Sequence, residues 1–319
     1  MIHDIESISP SPCSAQDEQE IGFISKILRS SFVDGPGNRT VVFLQGCNFR
    51  CRKCHNPQTQ SVCLQCGQCV SRCPSGALSY VDGKVIWDES RCTSCDTCIN
   101  FCPHYADPRV RRMKPQELWA VIEPWSPFIS GVTVTGGEPA QQLDFLIAFF
   151  GLVKAHKGKR LTTCLETNGS LLQRPKEKLD QMLALLDYAL VDFKAWEADT
   201  FARVIGTPAR PPPGPSGPME VMKLLEYLAR PPQPGRASLI HEVRQVVIPG
   251  LTDQEAPLRQ LARWLATQIG PEVPLRLLRF RPHGTRGEAG GWGSPSDELM
   301  ARLVAAATEE GLRHVGQSL

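Results

Sequence analysis

The sequence has no surplus of charge of either sign. Lys and Arg total 35, Asp and Glu 33, and the formal net charge is +2. That excludes a broad electrostatic grip on nucleic acid or on an anionic membrane. A long hydrophobic run is also missing. The longest, residues 145–153, is far short of the roughly 20 residues a membrane span needs. Residues 1–20 are acidic and polar, unlike a signal or transit peptide, which points to the cytoplasm. With 41% apolar and 21% charged residues, the composition is that of a globular chain, not a disordered one. A chain of 319 residues buries about 75% of its unfolded surface, as two domains or one long barrel.

Cysteine, by contrast, is plentiful. Eleven of the 13 cysteines fall between Cys47 and Cys102. Cys13 and Cys164 stand apart and read as ordinary thiols, Cys164 within a core strand. A disulfide scaffold is short and secreted, so clustered thiols here read as metal ligands. Cys63-x2-Cys66-x2-Cys69-x3-Cys73-Pro74 recurs, 29 residues on, as Cys92-x2-Cys95-x2-Cys98-x3-Cys102-Pro103. Each is the bacterial ferredoxin run, whose fourth Cys ligates the other cluster. Cys63, Cys66, Cys69 and Cys102 therefore form one [4Fe–4S] ligand set, and Cys92, Cys95, Cys98 and Cys73 the second. A zinc ribbon gives no reason for a third Cys and a Cys-Pro in each run. Cys47-x3-Cys51-x2-Cys54 follows a strand pattern and supplies three ligands, leaving the fourth iron of a cubane open. On spacing alone, a zinc or structural site is the alternative.

Around this region strand and helix patterns alternate. Strands are predicted at 41–44, 132–135, 163–165, 188–191, 243–248 and 275–280. Helices are predicted at 115–122, 142–155, 175–186, 219–228, 256–267 and 296–310. Alternating βα units imply a parallel sheet, either a partial barrel or an open doubly wound sheet. The expected organisation is a polar tail (1–20), a first barrel part (21–58), an inserted unit (59–107) with a hairpin turn at Asp82-Gly83, and the remaining barrel (108–319). The prolines of 208–218 and 231–235 mark loops, read as solvated linkers in preference to a polyproline ligand. Polar motifs follow successive strands: Gly136-Gly137-Glu138, Glu166-Thr167-Asn168-Gly169, Asp192-Phe193-Lys194, Pro249-Gly250 and Pro282-His283-Gly284. Each alone reads as a turn, a cap or a surface ion pair. Their placement at the ends of strands is where barrel enzymes carry their chemistry.

The three-cysteine loop resembles the signature of the radical S-adenosylmethionine (SAM) superfamily. That resemblance implies that SAM chelates the open iron through its amine and carboxylate. One electron then splits the sulfonium to methionine and a 5′-deoxyadenosyl radical. The residues Phe32-Val33-Asp34-Gly35-Pro36-Gly37-Asn38-Arg39, Phe43-Leu44-Gln45-Gly46-Cys47 and Cys54-His55-Asn56-Pro57 look like the opening segment of glycyl-radical-enzyme activating enzymes. A ferredoxin unit directly after the SAM-cluster loop is a feature of many of these. The likeness runs from residue 23 to the C-terminus.

What the family implies is then read residue by residue. Cys47, Cys51 and Cys54 ligate the SAM cluster, with Lys53 and His55 beside the adenosyl group. Gly136, Gly137 and Glu138 resemble the segment that receives the methionine amine. Asp192, Phe193 and Lys194 match the pair that meets the SAM carboxylate and ribose. Arg244 and Val246 match the fifth strand's wall of the SAM pocket, and His283 a SAM-contacting His. Glu166 and Thr167 match an acidic-Thr pair near a monovalent cation, although Glu166 is a methylene longer than the family's Asp and Leu190 replaces a Met. The proline run 208–218 replaces a Thr-Gly-x-x-Asn-like stretch. The implied whole is an α/β partial (β/α)6 barrel of radical SAM type with an inserted bacterial-ferredoxin-like 2[4Fe–4S] domain. It would carry three [4Fe–4S] clusters, take electrons from flavodoxin or ferredoxin, and act on a glycyl radical enzyme. The glycines of 284–294 would form a mobile rim for that partner. Two other readings stay open: a radical SAM enzyme acting on a small molecule or peptide, and a multi-cluster electron carrier.

Overall fold

The computed structural model describes residues 21–206, 216–230, 235, 237–285 and 287–318. The tail 1–20 with Cys13, and most of both proline-rich stretches, lie outside the described residues. In chain order the strands are β1 (Gly22–Ser31), β2 (Arg39–Leu44), β3 (Leu78–Val81), β4 (Lys84–Trp87), β5 (Arg111–Met113), β6 (Gly131–Gly136), β7 (Thr162–Thr167), β8 (Tyr188–Asp192), β9 (Ile240–Val247), β10 (Leu275–Arg279) and β11 (Val315–Gln317). The helices are α1 (Thr97–Phe101), α2 (Pro115–Ile122), α3 (Leu143–Ala155), α4 (Lys176–Leu185), α5 (Ala198–Ile205), α6 (Pro218–Ala229), α7 (Glu255–Trp264) and α8 (Asp297–Glu309).

Nine strands form one sheet in the order β11-β10-β9-β8-β7-β6-β2-β1-β5. From β2 to β11 all pairings are parallel, while β1 and β5 add an antiparallel edge. The parallel strands follow chain order with no reversal, so right-handed crossovers put the helices on one face. A doubly wound sheet would reverse its order at a switch point. Residues of β2, β6, β7, β8, β9 and β10 line one cavity, so the sheet curls around its other face. The architecture is an α/β partial barrel, and its outer strands β11 and β5 do not pair with each other.

The strands are β-branched and bury both faces. In β2, Arg39, Thr40, Val41, Val42 and Leu44 are all buried. Residues two apart share a face, so Thr133 and Thr135, Cys164 and Glu166, Leu190 and Asp192, and Arg244 and Val246 point inward. The register sets Thr133 beside Cys164, Glu166 beside Leu190, and Asp192 beside Arg244. The helix α3 packs Phe145, Leu146, Phe149, Phe150 and Val153 against the outer face. Its apolar run is core, and no helix among the described residues is long and apolar enough to cross a membrane.

At the N-terminal end of the sheet the loop 32–38 is pinned by Arg39, which is fully buried. Its guanidinium donates to the carbonyls of Pro36, Val132 and Thr162 and to the hydroxyls of Thr133 and Thr162. Thr133 in turn donates to the Asp34 carbonyl at 2.5 Å.

Residues 59–107 leave the barrel after β2 and return before β5. A parallel bridge between Ser61 and Ala106 brings the two ends together. Inside lie the β3–β4 hairpin and a small core of Cys69, Leu78, Val85, Cys98 and Ile99. The hairpin turns at Asp82 and Gly83, with φ of 48° and 75°, as a two-residue primed turn requires. The sequence repeat is also a backbone repeat. Left-handed residues occur at Gln65 and Ser94, Gly67 and Asp96, and Gly76 and Tyr105, each pair 29 apart.

Several elements depart from the alternation read in the sequence. The edge strands β1, β5 and β11 and the helix α5 were not signalled. The helix expected over 256–267 is α-helical only to Trp264 and continues as one π turn, Leu265–Ile269, to Gly270.

Candidate active site

The loop after β2 is tied back on itself. Gly46 N–H donates to Thr59 O at 2.7 Å, and Cys47 N–H to Gln60 O at 3.0 Å. The Arg50 guanidinium donates to Gln60 O at 2.7 Å, and Arg50 N–H reaches Ile205 O at 2.9 Å. These ties hold Cys47, Cys51 and Cys54 on one wall of a cavity of about 290 Å³ at the C-terminal end of the barrel. Burial pushes all three thiols up, Cys51 to about 11, where Lys194 opposes the shift and Cys54 and Asp192 add to it. Thiols so placed keep their protons until a metal displaces them.

The polar motifs converge on the same cavity. Gly136, Gly137, Glu166, Thr167, Asp192, Phe193, Lys194, Arg244 and Val246 line it, as do Lys53 and His55 from the cysteine loop. Asp192 and Lys194 are paired at 2.7 Å. Burial alone would lower the Lys194 ammonium, but Asp192, Cys51 and Cys54 outweigh it and the net shift is upward. The pair therefore presents a fixed anion and a fixed cation to the cavity.

Both glycines are required by close approach. A Cβ on Gly136, whose φ is 117°, would lie 2.4 Å from the Leu44 backbone. One on Gly137 would lie 2.0 Å from Gly46 O. Gly137 N–H and Glu138 N–H donate to Leu44 O and Gly46 O, so β6's exit is stitched to the start of the cysteine loop.

Two of the expected residues lie outside the cavity. Glu138 is fully buried and accepts from Ala140 N–H at 3.0 Å, Asn168 N–H at 2.7 Å and Thr167 Oγ1 at 2.8 Å. It joins the ends of β6 and β7. Burial pushes its pKa up to about 7 against the pull of these bonds. His283 lies on a neighbouring groove of about 1010 Å³, between the barrel edge, the cysteine loop and the 59–107 segment. His55 borders both spaces; its ring stacks on Phe280 and its Nε2 lies 3.0 Å from Arg281 O.

Glu166 is engaged within the protein on both oxygens, by Arg244 at 2.6 Å and by Thr135 at 2.6 Å. Burial raises its pKa even so. Arg244 also holds Glu242 at 2.6 Å and the Val33 carbonyl at 2.8 Å. A guanidinium therefore stands beside Glu166, at the place where a monovalent cation was expected.

Some site residues carried no signal of their own. Asn168 donates to Asn48 Oδ1 at 2.9 Å and lies 3.8 Å from the Cys47 sulfur. Asp34 reaches the cavity from the β1–β2 loop. Trp292 covers the Lys53 ammonium at 4.1 Å, so part of the glycine-rich stretch 284–294 packs against the cysteine loop. Asn168 and Asp34 sit within the motifs at 166–169 and 32–39, and only the fold gives them contacts. Trp292 is joined to Lys53 across the whole sequence.

The 59–107 segment forms two smaller concavities. Cys63, Cys66, Cys69 and Cys102 line one; Cys73, Cys92, Cys95 and Cys98 line the other. Among the described residues, no three His, Cys, Asp or Glu side chains are grouped as ligands of a single ion.

A family model described as the Radical SAM superfamily matches residues 41–262. The chain is 30% identical over 285 residues to the benzylsuccinate synthase activating enzyme of Thauera aromatica, covering 83% of this chain and 80% of that one. It is 30% identical over 292 residues to the isethionate sulfite-lyase activating enzyme of Desulfovibrio desulfuricans, covering 85% and 86%. Over 291 residues it is 26% identical to the pyruvate formate-lyase-activating enzyme of Listeria monocytogenes, covering 88% and 94%.

Proposed function

The chain belongs to the radical SAM superfamily, and on that premise we propose that it activates a glycyl radical enzyme by removing hydrogen from a backbone glycine of that partner. The observation that carries this is the meeting of three half-buried cysteines with the polar ends of β6, β7, β8 and β9 in one cavity. Relatives named as activating enzymes support the choice of reaction over that of a small-molecule enzyme.

The residues present fit the cofactors the family implies. Three thiols on one loop suit three irons of a cubane and leave the fourth to another ligand. Bound there, the [4Fe–4S] cluster and SAM supply the 5′-deoxyadenosyl radical. Lys194 and Asp192 offer opposite charges to a zwitterionic ligand such as the methionyl end of SAM. Gly136 and Gly137, which leave no room for side chains, bring bare backbone to the same wall. Phe193, Val246 and His55 give the cavity an apolar, ring-lined side that suits an adenosine. Glu138 acts through others, fixing where β6 and β7 end. Arg244 supplies the cationic balance for Glu166, so the site is read without a separate monovalent cation.

The 59–107 segment is read as a ferredoxin-like insert with two auxiliary [4Fe–4S] clusters. Support comes from the repeated left-handed positions and from the two four-cysteine concavities, each taking one cysteine from the other run. Flavodoxin or ferredoxin is the proposed donor and the cytoplasm the proposed compartment.

The test is formation of 5′-deoxyadenosine and methionine from SAM by the anaerobically reconstituted, reduced chain. Cys54→Ala should abolish both products. Cleavage that survives in Cys54→Ala, or wild-type protein with its clusters intact that binds no SAM, would leave an electron carrier as the better reading.

A further inference from the structure

We propose that a pocket on the helix side of β9, facing away from the SAM cavity, binds a free α-amino acid with a carboxamide side chain. Near its C-terminal end β9 serves two spaces. Arg244 and Val246 line the SAM cavity, and Gln245 between them points the other way, toward the helices. There it meets a second cavity, also of about 290 Å³, which shares no lining residue with the first.

Gln245 is the observation that points to a ligand. Its side chain is 4% exposed, and its Oε1 is buried with no hydrogen-bond partner among the described residues. An unpaired buried acceptor destabilises a fold, so a donor from outside the chain is favoured there. The Thr252 hydroxyl on the same wall is not that donor. It donates to the Val246 carbonyl at 2.6 Å and accepts from Ile248 N–H at 3.0 Å.

The rest of the wall sets the ligand's form. Trp196, Leu251 and Pro257 give apolar sides that suit a short aliphatic stem. Charge of both signs lies toward solvent. Arg203 is exposed and has no ion-pair partner among the described residues. Glu197 is exposed and accepts from Thr200 Oγ1 at 3.3 Å. The first turns of two helices also meet here. Glu197 and Thr200 begin α5, Gln254 and Pro257 begin α7, and neither N-cap side chain bonds the free N–H groups of its helix. Those groups and Arg203 favour a carboxylate, and Glu197 favours an ammonium. Neighbouring acids are engaged elsewhere or lie off the wall. Asp253 accepts from Gly250 N–H and Gln254 Nε2 at 2.9 Å each, Glu255 pairs with Arg259 and Arg302, and Asp199 does not line the pocket. One ligand meets all of these demands. It has a zwitterion at the mouth, a short apolar stem, and a carboxamide at the floor that brings a donor to Gln245 Oε1 and an acceptor to Nε2. Glutamine and asparagine have that form.

This pocket is separate from the chemistry proposed above, and its occupancy can be read whether or not SAM is cleaved. The experiment is equilibrium dialysis of the anaerobically reconstituted full chain against labelled amino acids, with SAM in excess and no reductant, so that the other cavity is filled. One L-glutamine or L-asparagine should bind per chain. L-Norleucine, which keeps the stem and lacks the amide, should bind about tenfold more weakly than L-glutamine. N-acetyl-L-glutaminamide, which keeps the amide and loses both charges, should also be about tenfold weaker. Gln245→Leu should reverse the first preference, so that norleucine binds better than glutamine. Arg203→Gln, an exposed change, should weaken glutamine and norleucine together by about threefold and leave the blocked amide unchanged. Norleucine or the blocked amide binding as well as glutamine, or a preference for glutamine that survives in Gln245→Leu, overturns the proposal. Binding of neither glutamine nor asparagine overturns it too, and would leave ordered water as the partner of Gln245.

Discussion

Glu138 shows how a motif residue can serve the site without facing it. Its three donors and its full burial oppose one another, and burial prevails, lifting the pKa from 4.5 to about 7. Between those values the folded chain binds the proton more tightly than the unfolded chain, so this group's contribution to stability falls as pH rises. In Glu138→Gln that linkage is gone. The wild type's advantage over the variant, read from urea midpoints, should therefore shrink as pH is raised from about 4.5 to about 7. A constant gap would mean that Glu138 does not titrate there. Gly137 gives a steric test at the same scale. A Cβ 2.0 Å from the Gly46 carbonyl forces the two strand exits apart. Gly137→Ala should cost about 1–3 kcal/mol in urea unfolding, and should reduce SAM cleavage more than iron content, because the cysteines are on the other side of the contact.

At the scale of elements, the buried Arg39 ties the loop 32–38, through Pro36, to β6 and β7. Arg39→Met keeps the volume but leaves the carbonyls of Pro36, Val132 and Thr162 without their donor. A loss of roughly 2–3 kcal/mol is expected, with faster hydrogen exchange confined at first to 32–38 and the start of β2. Which elements the sequence made legible follows from the same physics. The six inner strands show a continuous apolar and β-branched pattern because they bury both faces, and their helices show the apolar stripe that each packs on the sheet. The edge strands β1 and β5 lack that pattern: Lys26, Arg29, Arg111 and Arg112 interrupt it, and β11 is only three residues long. The site was legible where chemistry is local, as in the cysteine runs and the Asp192–Lys194 pair. It was not legible where partners are distant, as with Lys53 under Trp292 or Arg244 against Glu166. The family resemblance places Glu138 and His283 at the ligand; in the fold Glu138 is hydrogen-bonded between the ends of β6 and β7, and His283 shares with His55 a groove that adjoins the cavity.

At the scale of the molecule, the bridge between Ser61 and Ala106 makes the insert a side branch with adjoining ends. Replacing residues 62–105 by a short Gly-Ser link should leave the barrel folded, with its thermal midpoint within a few degrees of the parent's barrel transition, and with iron for one cluster. SAM cleavage driven by a small chemical reductant should persist. Cleavage driven by a carrier protein should drop at least about tenfold, since a mismatch of about 59 mV in a one-electron relay is enough for that. Equal rates with both reductants would show that electrons bypass the insert.

The segment's central apolar cluster has five buried side chains, two of them cysteines proposed as cluster ligands, with Val70, Cys73 and Trp87 packed against it. A unit so poor in core depends on its metal to stay folded. On the proposed reading Cys73 and Cys102 each cross to the opposite set, and two clusters would rivet both halves at once. Iron stripped by air from one would then loosen the other. Brief aeration followed by limited proteolysis should thus nick the chain first between residues 61 and 106, while the barrel still resists cleavage. Oxygen damage would begin as mechanical failure of the side branch, and a protease would register it before the barrel unfolds.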